Sequence, residues 1–229
     1  MAETRPFGPV HIAVYDKMLG NQQVTTDIIH SGGGKLNAGH ASDDDLQSIV
    51  RGLDEAKNPL LYVGDGVWKS GGGYFASELA SHFGVPIASP ETDLRGITLK
   101  HPQHMGVFNT AVSEIKPDVI VSIGTRHQGS GKKEDLDYLN GVKSIYALGS
   151  GIEYVKNYSG LDLGVIADEG DSLKRMLQIA KSDYSLDRYD DRRKLTFQMA
   201  ENWRSGRRSS LMGPHIANKV RPAVLVDAI

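Results

Sequence analysis

No cysteine occurs among the chain's 229 residues. That single absence excludes disulfide frameworks, thiolate metal sites and a cysteine nucleophile together, and it fits a reducing compartment. An excess of one charge is also missing. Twenty-six Lys and Arg stand against 28 Asp and Glu, a formal net charge of −2, so no attraction to nucleic acid or an anionic bilayer is built in. No apolar run is long enough to span a membrane, and the first residues lack the basic-then-apolar order of a secretory leader. The expected address is cytoplasmic.

Familiar chemical fingerprints are absent as well. No G-x-G-x-x-G opens a helix, because Gly64 and Gly66 are followed by Ser70-Gly71 at the wrong offset. Gly32-Gly33-Gly34-Lys35 has the look of a phosphate loop, but Leu36 follows the lysine and no apolar strand leads into it. It reads as a loop. No serine stands in a G-x-S-x-G elbow. His101 and His104 are three apart and His127 lies elsewhere. Without a carboxylate beside them they read as scattered surface histidines, and no metal site is expected.

What is present is an alternation of apolar runs and amphipathic helices. Ser42 with Asp45 marks a helix start, and Leu46, Ile49, Val50 and Leu53 follow on one face. Leu60 to Val63 is a short apolar run ending at Gly64. A helix is expected from Gly73 to Phe83, closed by Gly84, and then a strand over Val85 to Ala88. Ser89 to Asn109 looks irregular. A helix with Val112 and Ile115 leads into the clearest strand, Asp118 to Gly124. Ser144–Leu148 and Leu163–Ala167 are two further strands, and Asp171 opens a helix with Leu173, Met176, Leu177 and Ala180 inward. Strands that are apolar throughout, separated by helices, imply a parallel sheet covered on both sides. The expected fold is a doubly wound, Rossmann-like α/β sheet of five or six strands.

The ends differ. Val10, Ile12 and Val14 alternate as a strand and are followed by a polar stretch up to Ala41. Arg188 to Arg208 is strongly charged, with Leu195, Met199 and Trp203 as the expected buried stripe. Pro222 suits a first helical turn, and Val224, Leu225, Ala228 and Ile229 begin an apolar face on which the chain stops. This pattern suggests a domain cut from something longer.

Ligands of open α/β sheets bind at the carboxyl ends of strands. Gly64 and Gly66, Arg126, and Asp168 sit at three such ends. The glycines would let a ligand approach the backbone, Arg126 could clamp a phosphate, and Asp168 could accept hydrogen bonds from a ribose or base. Taken singly, each also suits a tight turn or an ion pair.

The order of segments carries a resemblance. Pro59-Leu60-Leu61-Tyr62-Val63-Gly64-Asp65-Gly66, then Ser70-Gly71 and Phe83-Gly84-Val85-Pro86, is similar to the opening of the central domain of thiamine-diphosphate-dependent enzymes. That group includes acetolactate synthase, pyruvate oxidase and benzoylformate decarboxylase. Lys100-His101-Pro102 with Gly106, Asp118 to Arg126, and Lys143 through Asp168 resemble the group's later segments in order. The resemblance implies a stub of a pyrimidine-binding domain at 1–41, the central domain at 42–183, and at 184–229 a linker with the start of a diphosphate-binding domain.

It also implies that thiamine diphosphate and Mg²⁺ are held by those flanking domains, the partners of this one, and not by this chain alone. Gly64-Asp65-Gly66 mimics the group's magnesium motif, but no asparagine follows in Ile87 to Leu94. Central domains of the group bind ADP or FAD in some members and nothing in others. Leu148 and Ser150 stand here where nucleotide binders carry acids, so any ADP or FAD is expected to bind weakly, near Gly64, Gly66, Arg126 and Asp168. By the same resemblance His101 is a candidate to reach the active site of the full assembly. Three readings stay open: part of a thiamine-diphosphate lyase or synthase, a free-standing nucleotide-binding module, or a structural domain with an empty crevice that serves only in assembly; self-association through the stranded ends is a further expectation.

Overall fold

The computed structural model describes residues 39–91, 95–126, 140–156, 158 and 160–212, with isolated positions at 11, 13 and 20. The Val10–Val14 strand, the Gly32–Lys35 loop, His127 and the segment from Pro222 lie outside the described residues.

Helix α1 (Asp43–Glu55) begins as its sequence requires. Ser42 Oγ accepts from the Asp45 N–H at 3.1 Å, and three aspartates fill the first turn. Its buried face is Leu46, Ile49, Val50 and Leu53. Strand β1 (Pro59–Val63) is buried at every position. A short helix, α2 (Asp65–Lys69), follows directly, and α3 (Gly73–Phe83) ends at Gly84. Then come β2 (Ile87–Ser89), β3 (His104–Val107), α4 (Phe108–Ile115), β4 (Val119–Ile123), β5 (Ser144–Gly149) and β6 (Leu161–Ile166). Helix α5 (Glu169–Asp183) and the long α6 (Asp190–Met212) complete the described chain.

The six strands form one sheet in the order β3-β2-β1-β4-β5-β6, all parallel. The expected doubly wound fold is therefore present, at the upper strand number. The sixth strand, β3, falls inside the stretch that looked irregular. It is only four residues long, carries a buried histidine, and turns at Gly106 with φ +83°.

Alternate strand residues feed two cores. Leu61, Val63, Ile87, Val121 and Ile123 face α1, α3 and α5. Leu60, Tyr62, Ala88 and Ile120 face α4 and α6, with Met105 and Phe108 beside them. Helix α6 touches both layers. The Arg192 guanidinium donates to the Leu53 carbonyl at 3.0 Å and to that of Ala56, and Arg193 donates to the Ser81 carbonyl at 2.8 Å. Thr196 Oγ1 donates to the Gly84 carbonyl at 2.7 Å. These are carbonyls at the C-terminal ends of α1 and α3, which helix geometry leaves without intrahelical partners.

The expected buried stripe of α6 needs correction. Its inward residues are Thr196 and Ala200, at 3% and 0% exposure. Leu195 is 57% exposed, and Met199 and Trp203 are half-buried. Met199 and Trp203 pack against the second core beside Ala200, so Leu195 is the residue that departs from the expected stripe, while Arg192, Arg193 and Thr196 pin the helix to the carbonyls of the first layer.

Candidate site at the sheet switch point

Strand β1 pairs with β2 on one side and β4 on the other, so the order of progression reverses between β1 and β4. Helices leave in opposite directions there, and a crevice at the carboxyl ends is the default ligand position of such sheets. The structure brings Gly64, Gly66 and Arg126 together at this point.

The geometry of the glycines shows what they are for. The Gly64 N–H donates to the Ile123 carbonyl at 3.1 Å and the Gly66 N–H to the Gly124 carbonyl at 2.8 Å. A Cβ on Gly66 would lie 2.6 Å from Glu169 Oε1 and 2.7 Å from Gly124 Cα. In a dinucleotide fold such an approach admits a pyrophosphate. Here it admits the protein's own backbone and a glutamate.

Two carboxylates are buried around this contact, Asp65 at 5% and Glu169 at 1% exposure. Asp65 Oδ2 accepts from Lys69 Nζ at 2.8 Å and lies 3.7 Å from Arg126 Nη2. Glu169 Oε1 accepts the Ser150 N–H at 2.8 Å. Arg126 stands over the Tyr154 ring, 5.9 Å from its centroid. Burial, and then the negative field of Asp65 and Glu169, push the Tyr154 phenol well above its usual range. Two acids thus face two bases, and the cluster is charge-compensated from within. Asp65 Oδ1 and Thr125 Oγ1 are buried here without a hydrogen-bond partner.

Asp168 stands just after β6. Its carboxylate accepts the Asp171 N–H at 2.9 Å and caps α5. The helix therefore opens at Glu169, two residues before the expected Asp171.

His101 lies at the other edge of the sheet. It precedes β3, whose amino end is remote from the carboxyl-end crevice because all strands run parallel. Its Nδ1 accepts the Gln103 N–H at 3.3 Å, and Arg204 holds its carbonyl at 3.2 Å. Burial, assisted by Arg204 and opposed by Glu78, lowers its pKa.

His104, expected at the surface, is fully buried. Its Nδ1 accepts the Gly106 N–H at 2.9 Å, so the neutral ring keeps its proton on Nε2 and donates it to Ser89 Oγ at 2.9 Å. Burial foremost, with Arg95, His101 and Arg204 adding, holds its pKa down at about 3. Among the described residues no group of three His, Asp or Glu is placed to hold a metal.

Sequence reasoning missed Asp65, Tyr154 and Glu169 as members of this cluster. Asp65 was in view inside Gly64-Asp65-Gly66. Glu169 and Tyr154 gave no signal, because only the fold brings them to β1.

Residues 46–176 match the family described as the central domain of thiamine pyrophosphate enzymes. The chain belongs to that family. The acetolactate synthase large subunit of Corynebacterium glutamicum is 25% identical over 143 residues, covering 60% of this chain and 23% of that protein. An acetolactate synthase of Arthrospira platensis is 25% identical over 186 residues, covering 75% and 31%. Among solved structures, the 4-hydroxybenzoylformate decarboxylase of Rhodococcus jostii RHA1 overlaps with TM-score 0.55 at 20% identity, covering 68% of this chain and 31% of that one. The benzoylformate decarboxylase of Polynucleobacter necessarius overlaps with TM-score 0.55 at 17% identity, covering 77% and 34%. The structural likeness carries the fold. The chain spans a quarter to a third of the length of these proteins.

Membership of a thiamine-diphosphate family raises the question of what this domain could hold. Its residues do not fit a magnesium diphosphate. The Asp65 carboxylate is buried and already neutralised by Lys69 and Arg126, and the N–H of Gly66, at the start of α2, is spent on Gly124. Among the described residues no helix is long and apolar enough to cross a membrane.

Proposed function

We propose that this chain is the scaffold domain of a thiamine-diphosphate-dependent lyase or synthase acting on 2-oxo acids, with no dinucleotide in its crevice. Relatives named as acetolactate synthases and benzoylformate decarboxylases support the reaction class. One observation carries the scaffold reading. The space that glycine leaves at Gly66 is taken by Gly124 and Glu169, and the cations beside it are already engaged, Lys69 and Arg126 with Asp65. Thiamine diphosphate, with its magnesium, would supply the carbanion chemistry from pyrimidine- and diphosphate-binding domains that flank this one. The chain's own contribution is to hold those partners in register.

A thermal-shift titration tests this. ADP, FAD, NAD, CoA and thiamine diphosphate with Mg²⁺ are each expected to leave the melting temperature unchanged. A ligand at a hundred times its Kd would stabilise by about 2.7 kcal/mol, so a saturable shift with FAD would overturn the reading. Gly66→Ala separates the two roles. As a packing glycine it should lose about 1–3 kcal/mol of stability. As a ligand glycine it would keep its stability and lose only binding.

A second reading is favoured by Arg126, whose side chain is 45% exposed and held over Tyr154. It is weak binding of an ADP-type anion by Arg126 at the rim, with Gly64, Gly66 and Asp168 near it. An ADP shift that disappears in Arg126→Ala would establish it.

A further inference from the structure

Two dipeptides in the chain are prone to the same backbone reaction. In Asn-Gly and Asp-Gly the side-chain carbonyl carbon lies within reach of the next backbone nitrogen, and glycine puts no Cβ in its way. The sequence holds one of each, Asp65-Gly66 and Asn140-Gly141. The fold treats them in opposite ways.

Asp65-Gly66 is locked. It opens α2, and Asp65 is 5% exposed. The Gly66 N–H is held by the Gly124 carbonyl at 2.8 Å, and the Asp65 carboxylate accepts from Lys69 Nζ at 2.8 Å. Both reacting groups are engaged elsewhere. Neither has room to swing, since even a Cβ on Gly66 would meet Gly124 Cα at 2.7 Å.

Asn140-Gly141 is open. Both residues are exposed, in a turn that leads into β5. Gly141 has φ +104°, which glycine adopts without cost, and no atom lies within 4 Å of where its Cβ would stand. Its N–H donates to none of the described residues. Nothing there holds either reacting group in place.

We propose that Asn140 is a site of spontaneous deamidation, and that the isoaspartyl product loosens the start of β5. The step needs only water. The Gly141 nitrogen gives up its proton to hydroxide and bonds to Asn140 Cγ. The Cγ–Nδ2 bond breaks, and ammonia leaves with a proton taken from water, which regenerates the hydroxide. Water then opens the succinimide at one carbonyl or the other, giving aspartate or isoaspartate. Both products carry a new negative charge. In isoaspartate the main chain runs through the side-chain carbon and is longer by one methylene.

That methylene falls at a sensitive place. Val142 packs against the second core. The Lys143 N–H donates to the Asp118 carbonyl at 2.7 Å, and the Ser144 N–H to the same oxygen at 3.3 Å. That carbonyl stands at the entry of β4, where Val119 pairs with Ser144, so these bonds set the register of β5. A lengthened turn strains them against the seat of Val142. The Asp118 carboxylate serves β1 separately, accepting the Asn58 N–H at 2.7 Å, and that contact should survive.

Incubation of the full chain at mildly alkaline pH, sampled by peptide mapping and by isoaspartyl methyltransferase labelling, is the test. Asn140 should convert over days, at a rate that rises with hydroxide concentration, while Asp65 stays unmodified. In urea, isoaspartate should appear at both positions. Asn140→Gln, whose longer side chain must close a larger ring, should abolish the acidic species. The isoaspartyl form, separated by anion exchange, should exchange its Lys143 and Ser144 amide hydrogens severalfold faster than the parent, with Asn58 unchanged. An Asn140 that stays intact in the folded chain while the unfolded chain reacts would overturn the site. Isoaspartate forming at Asp65 in the folded chain as fast as at Asn140 would overturn the contrast that singles it out. Unchanged exchange at Lys143 and Ser144 would overturn the consequence for β5.

Discussion

The two faces of the sheet are built to different standards. One is covered by α1, α3 and α5, whose apolar positions interleave with Leu61, Val63, Val121 and Ile123 until almost nothing is exposed. The other is covered by the eight-residue α4 and by part of α6, and it ends in the open groove beside Met105. The first face is closed by helices adjacent in the chain to the strands they cover. The second relies on a helix that arrives after the last strand and is fastened by Arg192, Arg193 and Thr196 to the first layer. The face whose last helix is pinned from the other layer is the one that carries the open groove.

Core truncations should show the contrast most strongly. Leu61→Ala, fully buried on the first face, is expected to cost about 4 kcal/mol. Met105→Ala, equally buried but beside the groove, should cost about 2 kcal/mol, because a cavity that opens to solvent relaxes. Urea unfolding of both variants measures the gap, and equal losses would mean the second face is as well closed as the first.

Next in size is the pin. Arg192→Ala removes the donors that serve the carbonyls of Leu53 and Ala56, and unsatisfied carbonyls at the end of α1 should cost about 2–3 kcal/mol. Proteolysis under native conditions should then cut within α6 first. If α6 stays protected, its attachment comes from Ala200 and Trp203 instead.

The buried histidines give the first face a dependence on pH. His104 is held at a pKa of about 3, and His82 is also lowered, by burial first. A depressed histidine stays neutral when folded while the unfolded chain takes up the proton. The stabilisation is therefore complete above pH about 6.5 and is lost as pH falls toward 3, by about 1.4 kcal/mol per pH unit for a single group. Melting curves from pH 7 to 4 should show the fall, and His104→Gln should flatten it.

The smallest effect is expected at Leu195. Leu195→Ala should change the stability of the monomer by less than about 0.5 kcal/mol, measured at high dilution. A loss of 2 kcal/mol or more would mean that the residue is covered within its own chain.

Local signals account for much of this. Ser42 with Asp45, Gly84 after Phe83, and the unbroken run Val119 to Ile123 each act through neighbours in sequence, and capping, helix stop and strand follow from bond geometry alone. Their order is enough to imply a doubly wound sheet and the central-domain family. The switch-point cluster was only half legible. Gly64, Gly66 and Arg126 stand out as strand-end residues, but their partners come from elsewhere: Glu169 from the start of α5 and Tyr154 from beyond β5. Strand β3 escaped notice because four residues with a buried histidine and a glycine carry no period.

The sequence by itself determined the alternation of elements and their caps, which depend on side-chain period and on contacts a few residues apart, and it implied a parallel sheet because strands apolar on both faces alternate with helices. Only the tertiary structure decided what the glycines of β1 approach, and which side of α6 turns inward. The first depends on how closely two strand ends and a helix start converge. The second depends on hydrogen bonds from charged side chains to carbonyls at the ends of α1 and α3, between residues more than a hundred positions apart, which helix period alone does not reveal.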